Sequence, residues 1–142
     1  MGTLDYALEI APQTTPTEDP ELVAYVDSDW AGCRLTRKST SGRALQLYGC
    51  TVQFYSRTQG SIATSAGEAE LYAIGTGVAE GLGIVNFLVE LGMMKQSTIT
   101  VFTDSSSAKT IATRLGRSKK TKHIAPRYIY VQDLVKEGLV NI

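Results

Sequence analysis

The sequence predicts an α/β domain with a mixed sheet, and three observations carry that reading. Two short apolar runs each lead into an aspartate: Leu22–Val26 before Asp27, and Ile99–Phe102 before Asp104. Between them, two stretches alternate apolar and polar residues around a Gly49-Cys50 turn, the pattern of a β-hairpin. A long stripe follows at spacings of three and four, Leu71, Ile74, Val78, Leu82, Val85 and Val89, which is the period of an amphipathic helix.

Taken in order, residues 11–20 contain three prolines and almost no apolar surface, so residues 1–20 read as a linker and 21–142 as the domain. Leu22–Val26 is the first strand. A polar, charged connection from Trp30 to Ser41 leads to the hairpin. In its first arm Leu45 and Leu47 share one face; in its second, Val52 and Phe54 do, and the hairpin is expected to be half-buried. Ser65-Ala-Gly-Glu68 is a capping box that starts the long helix. Glycines 75, 77, 81 and 83 each weaken that helix by about 1 kcal/mol relative to alanine, and a break near Gly81 or Gly83 is expected. Gly92 is its stop. Thr98–Phe102 is the next strand, Ser105–Leu115 a short helix ended by Gly116. Pro126 suits the first turn of another helix that runs to about Lys136 and ends at Gly138. Leu139–Ile142 begins a last strand.

The 142 residues suit one compact domain with a real core. Hydrophobic residues make up 43% and charged residues 20%, which excludes a wholly disordered chain. Net charge is zero but unevenly spread. Seven acids and no Lys or Arg precede Arg34, whereas Arg114–Arg127 holds six Lys or Arg and no acid. That asymmetry points to a polyanionic partner. Cys33 and Cys50 form no metal-ligand pattern and no disulfide framework. The sequence has no 18-residue apolar run and no signal peptide, so the expectation is a soluble, intracellular chain.

Three acids suggest one metal site. Asp27 and Asp104 close apolar runs, where a carboxylate is costly to desolvate unless a charge offsets it. Strands also end in Asp simply because Asp favours turns. Glu70 is the sharper signal: residues four, seven and eight further on are Ile74, Gly77 and Val78, so Glu70 shares the face turned to the sheet. Its partner is either a cation in a structural ion pair or a metal shared with the aspartates, since hard divalent ions prefer carboxylate oxygens. Glu68 points elsewhere and caps the helix. Asp29 lies two residues from Asp27 and would share its side in a continued strand, but Asp27 directly follows the apolar run and is favoured.

Several linked stretches resemble the ribonuclease H domain of copia-type retrotransposon reverse transcriptases. They are Tyr25-Val-Asp27-Ser-Asp29-Trp30-Ala-Gly, Arg37-Lys38-Ser39-Thr40-Ser41-Gly42, Ser65-Ala-Gly-Glu-Ala-Glu70-Leu-Tyr-Ala, Phe102-Thr-Asp104-Ser105, and Thr121-Lys122-His123-Ile124 with Arg127-Tyr128. Gly2-Thr-Leu-Asp-Tyr6 resembles the segment that joins the polymerase part to this domain. The resemblance implies a ribonuclease H-like fold: a mixed five-stranded sheet, three antiparallel strands then parallel ones, with flanking helices. It implies hydrolysis of the RNA strand of an RNA/DNA hybrid during reverse transcription. Asp27, Glu70 and Asp104 would be the catalytic metal ligands for two magnesium ions, with manganese as a substitute. Partners would be the hybrid and the upstream reverse transcriptase domain of the same polyprotein, with no membrane. The location would be the cytoplasm, in a retrotransposon particle, or the nucleus.

The chain departs from the family in two places. The family continues past a strand like Leu139–Ile142 into a segment with a fourth catalytic aspartate, and this sequence stops before it. It is therefore expected to be C-terminally truncated, with weak or absent activity. Ala125-Pro126 replaces the family's usual acid and apolar residue. Two alternatives stay open: a non-catalytic nucleic-acid-binding module, or a decayed remnant with the same fold.

Candidate nucleic-acid contacts are Arg117, Lys119, Lys120 and Lys122 in the basic run, Lys38 beside the hairpin, and Thr64, Ser65 and Ser105 at helix starts. Ordinary capping also explains Ser65 and Ser105. His123, the sole histidine, is given no catalytic role, and Trp30 is expected to be a packing residue.

Overall fold

The computed structural model describes residues 21–95, 98–114 and 126–142. The expected linker over 1–20 and most of the basic run, 115–125, lie outside the described residues. The elements, in order, are β1 (Leu22–Ser28), β2 (Thr40–Leu47), β3 (Cys50–Thr58), α1 (Ala66–Glu90), β4 (Ile99–Phe102), α2 (Ser106–Thr113), α3 (Pro126–Lys136) and β5 (Val140–Asn141). They form one five-stranded sheet in the order β3-β2-β1-β4-β5. β1 pairs antiparallel with β2, and β2 with β3; β4 lies parallel to β1, and β5 to β4. The sheet is thus mixed, as the element order predicts.

The core lies between one sheet face and α1. Leu22, Ala24 and Val26 of β1, Leu45 of β2, and Ile99 and Val101 of β4 meet Leu71, Ile74, Val78 and Val85 of α1. Each fully buried side chain such as Leu22, Leu45, Ile74 or Ile99 contributes about 1.5–3 kcal/mol. α1 is apolar and long enough by composition to span a bilayer, but its apolar stripe is the one that covers the sheet. α2 and α3 pack against α1 and against each other.

The expected break in the long helix does not occur: α1 runs unbroken for 25 residues. Two of its glycines have a packing role. A Cβ on Gly77 would sit 2.8 Å from Val26 Cγ1, and one on Gly81 would sit 2.9 Å from Leu22 Cδ2. Glycine lets the helix approach β1 closely, and the tighter helix–sheet packing outweighs the lost propensity. The helix does stop at Gly92, whose φ of 68° is left-handed. The Gly92 N–H donates to Val89 C=O and the Met93 N–H to Leu88 C=O, closing a Schellman motif. Gly138 ends α3 in the same way, through Val135 and Leu134.

The hairpin is buried less than expected. Leu45 is buried, but β3 is an edge strand with Val52 49% and Phe54 71% exposed. Alternation shows which residues share a face, not whether that face is covered. Phe54 lies on the face away from α1, in register with Ala44, Tyr25 and Phe102. Arg43, on the covered face, reaches α1 instead: its guanidinium donates to Thr76 C=O at 3.1 Å, pairs with Glu80 and stacks over the Tyr55 ring.

Candidate metal centre

Strand register builds the site. Tyr25 pairs with Phe102 in the parallel β1/β4 pair, so Asp27 and Asp104, each two residues on, emerge side by side at the carboxyl ends of these strands. Ligand sites in open α/β sheets favour this edge. Glu70 arrives from the first turns of α1. One carboxylate oxygen from each of Asp27, Glu70 and Asp104 lies within 4.8 Å of the others.

The three differ in setting. Asp27 and Asp104 are exposed, so burial at a strand end does not apply to them; Glu70 is the desolvated member, only 7% exposed. Glu70 Oε1 accepts the Ser28 N–H at 3.0 Å. Oε2 is buried with no hydrogen-bond partner among the described residues. Burial, then the charges of Asp27 and Asp104, push the Glu70 carboxyl up to about 7, against the opposing pull of the Ser28 N–H. Three carboxylates at this spacing repel one another, and a buried oxygen without a donor is costly. A divalent cation would relieve both, so the donor set fits a hard metal ion.

Asp29 has other work. Its carboxylate accepts the Thr40 N–H, and its own N–H donates to Thr40 C=O at 3.1 Å, so it closes the base of the β1–β2 loop. Among the remaining sequence candidates, Ser65 Oγ caps α1 by accepting the Glu68 N–H at 3.2 Å. Ser105 Oγ caps α2 by accepting the Ala108 N–H at 3.2 Å. Both donors of Thr64, its N–H and its hydroxyl, go to Glu68 Oε2. Glu68 is buried, and also accepts the Tyr72 hydroxyl. Lys38 is half-buried at the foot of the β1–β2 loop. Arg117, Lys119, Lys120 and Lys122 lie outside the described residues.

Sequence reasoning missed two features. Ser28 supplies the backbone donor to Glu70, and no side-chain pattern could reveal it. Trp30, expected to pack, is 54% exposed; its indole N–H donates to Ala63 C=O at 3.3 Å while much of the ring faces solvent. A depression of about 580 Å³ lies beside the acids, lined by Tyr25, Asp27, Ala44, Phe102 and Asp104.

A sheet of this order, with an acid triad at the ends of its central parallel strands and on the crossing helix, defines a ribonuclease H-like fold. Solved structures agree. The chain is similar to LC11-RNase H1, isolated from compost by a metagenomic approach, at 15% identity and a TM-score of 0.54, covering 85% of this chain and 81% of that one. It is also similar to LC11-RNase H1 in complex with an RNA/DNA hybrid, at 13% identity and a TM-score of 0.50, covering 84% and 81%. In sequence it is 34% identical over 124 residues, 87% of the chain, to the retrovirus-related Pol polyprotein from transposon TNT 1-94 of Nicotiana tabacum. Its homologues include retrovirus-related Pol polyproteins from plant transposons. The chain spans 8–9% of the length of these relatives. No protein-family model matches it.

Proposed function

We propose that this chain is the ribonuclease H unit of a retrotransposon Pol polyprotein and hydrolyses the RNA strand of RNA/DNA hybrids with divalent metal. One observation carries the reading: Glu70 is buried against the carboxylates of Asp27 and Asp104, with one oxygen that has no partner among the described residues. Such a cluster is poorly suited to stand uncompensated. Asp27, Glu70 and Asp104 would hold two magnesium ions, or manganese in their place. When bound, the ions supply Lewis acidity to the phosphodiester and lower the pKa of an attacking water.

The residues of the chain set up that chemistry. The carboxylates act as ligands rather than proton shuttles. Glu70, its carboxyl pushed up to about 7 chiefly by burial, would give up its proton on taking a cation. The Ser28 N–H fixes the Glu70 carboxylate so that its second oxygen is free to coordinate. The N-termini of α1 and α2 lie together, since a Cβ on Gly67 would strike Ser107 Oγ. Their positive ends favour phosphate nearby. Lys38 and the basic run from Arg117 to Lys122 would neutralise further phosphates, and the upstream reverse transcriptase domain would deliver the hybrid. The unit would work in the cytoplasmic retrotransposon particle.

Cleavage of an end-labelled RNA/DNA hybrid tests this, in magnesium and then manganese, beside Asp104→Asn. RNA-strand cutting that disappears in the variant is the expected result. A folded chain that binds the hybrid but leaves both strands whole in either metal would replace the enzyme with a binding module.

A further inference from the structure

We infer that Trp30 is a substrate-contact residue, packing its indole face against the sugars of the RNA/DNA hybrid at the rim of the acid cluster. This rests on the hybrid reading above and adds to it a residue outside the metal ligands.

The position follows from the chain. Trp30 is three residues past Asp27, so its Cα lies within about 11 Å of that of Asp27. Its indole N–H is bonded to Ala63 C=O, two residues before the Ser65 cap of the helix that carries Glu70. The ring therefore bridges the exit of β1 and the approach to α1, the two elements that supply Asp27 and Glu70. One polar anchor holds it, yet 54% of the residue is exposed, and Ile62 beside Ala63 is 55% exposed. A tryptophan anchored through its N–H with its ring left open is the arrangement that is enriched at interfaces.

The charge around it says what kind of surface. From Ala31 to Ser39 the β1–β2 loop carries Arg34, Arg37 and Lys38 and no acid. Arg34 and Arg37 are exposed. The loop is braced by Cys33 N–H to Lys38 C=O and Arg37 N–H to Cys33 C=O, and by Ala31 N–H to Ser39 Oγ. An exposed indole three residues from Asp27, in a loop whose next residues carry three cations, matches a polyanion with apolar faces between its charges. In a duplex the bases are stacked and closed to insertion. The exposed apolar faces are the sugars, displayed across the wide, shallow minor groove of an A-like helix.

Trp30 is the only tryptophan, so its emission reports on this position alone. The Asp104→Asn chain, in magnesium, is titrated with a short dye-labelled RNA/DNA hybrid. Trp30 emission and dye anisotropy are read together. The inference predicts quenching or a spectral shift of Trp30 that saturates with the anisotropy. Saturating anisotropy with flat Trp30 emission overturns the inference and leaves the hybrid reading standing. No anisotropy change from a folded chain overturns both. In a second arm, Trp30→Ala should weaken hybrid binding roughly tenfold, at the low end of an aromatic contact, and Trp30→Phe should restore most of it. Unaltered binding by a folded Trp30→Ala chain would also overturn the inference.

Discussion

The backbone N–H of Ser28 donates to Glu70 Oε1 across 42 residues of sequence, tying the end of β1 to the second turn of α1. The bond does two things at once. It holds the only buried acid of the cluster in place beside Asp27, the immediate neighbour of Ser28. It also occupies one carboxylate oxygen and leaves Oε2 with no donor among the described residues. The site is thus rigid on the protein side and unsatisfied on the metal side.

The first prediction concerns metal uptake. Glu70 titrates at about 7, so at neutral pH a bound ion must displace a proton from a substantial fraction of molecules. Magnesium affinity should rise from pH 6 to pH 8, with a proton released on binding at the lower end. Calorimetric titration in two buffers of different ionisation enthalpy measures that proton. Equal heats in both buffers at pH 6 would contradict the Glu70 titration.

The same shift has a consequence for stability without metal. The folded value is raised above the ordinary 4.5, so the contribution of Glu70 is fully present below pH about 4.5 and is lost as pH rises through about 7. Glu70→Gln keeps the acceptor for Ser28 and removes the charge. Its metal-free melting temperature should exceed that of the parent at pH 8 and approach it at pH 4. Magnesium should stabilise the parent and have no effect on the variant. Thermal melts with and without magnesium decide this; a variant less stable than its parent at pH 8 would show that the ionised Glu70 carries no cost from burial and from Asp27 and Asp104.

Ser65 has a structural role and a proposed substrate role, and substitutions separate them. Alanine removes the cap on the Glu68 N–H and should cost about 1 kcal/mol, whereas glycine, a tolerated cap, should cost only a few tenths. If the hydroxyl also binds phosphate, Ser65→Gly should lose hybrid affinity while keeping its denaturation midpoint. Affinity that tracks stability in both variants would leave Ser65 as a cap alone.

Much of the fold and the acid cluster could be read in the sequence because each rests on local rules. Two apolar runs ending in Asp27 and Asp104 became parallel neighbours, and parity along the strands brought the acids level. The periodicity of α1 put Glu70 on the sheet side. What escaped the reading depends on pairing between distant segments. The donor to Glu70 is a backbone N–H, which every residue except proline has. The exposure of Phe54 and Trp30 depends on which surfaces are covered, and composition does not encode that. Asp29 resembles Asp27 in its context, and only the pairing of its carboxylate with Thr40 separates their roles.

The glycines of α1 are the clearest case of a local rule overridden by packing, and they divide into testable kinds. By helix propensity alone, every one of them should gain about 1 kcal/mol from alanine. Gly83 is exposed and a Cβ there meets nothing within 4 Å, so Gly83→Ala should realise that gain. Gly77 is buried, and its Cβ would lie 2.8 Å from Val26 Cγ1. Val26 is β-branched, stiff and itself in the core, so it cannot swing aside as a long side chain would. Overpacking of this kind costs about 1–3 kcal/mol, which offsets or exceeds the propensity gain. Gly77→Ala should therefore be neutral to destabilising by about 2 kcal/mol. Because Val26 precedes Asp27, a shift there should also disturb the acid cluster. Chemical denaturation of both variants gives the stabilities, and magnesium titration gives the site. The expected pattern is a stabilised Gly83→Ala with parental magnesium affinity and a Gly77→Ala with weakened affinity. Equal stabilisation by both would mean that α1 can move off β1 freely, and that its glycines have no part in setting the distance between Glu70 and Asp27.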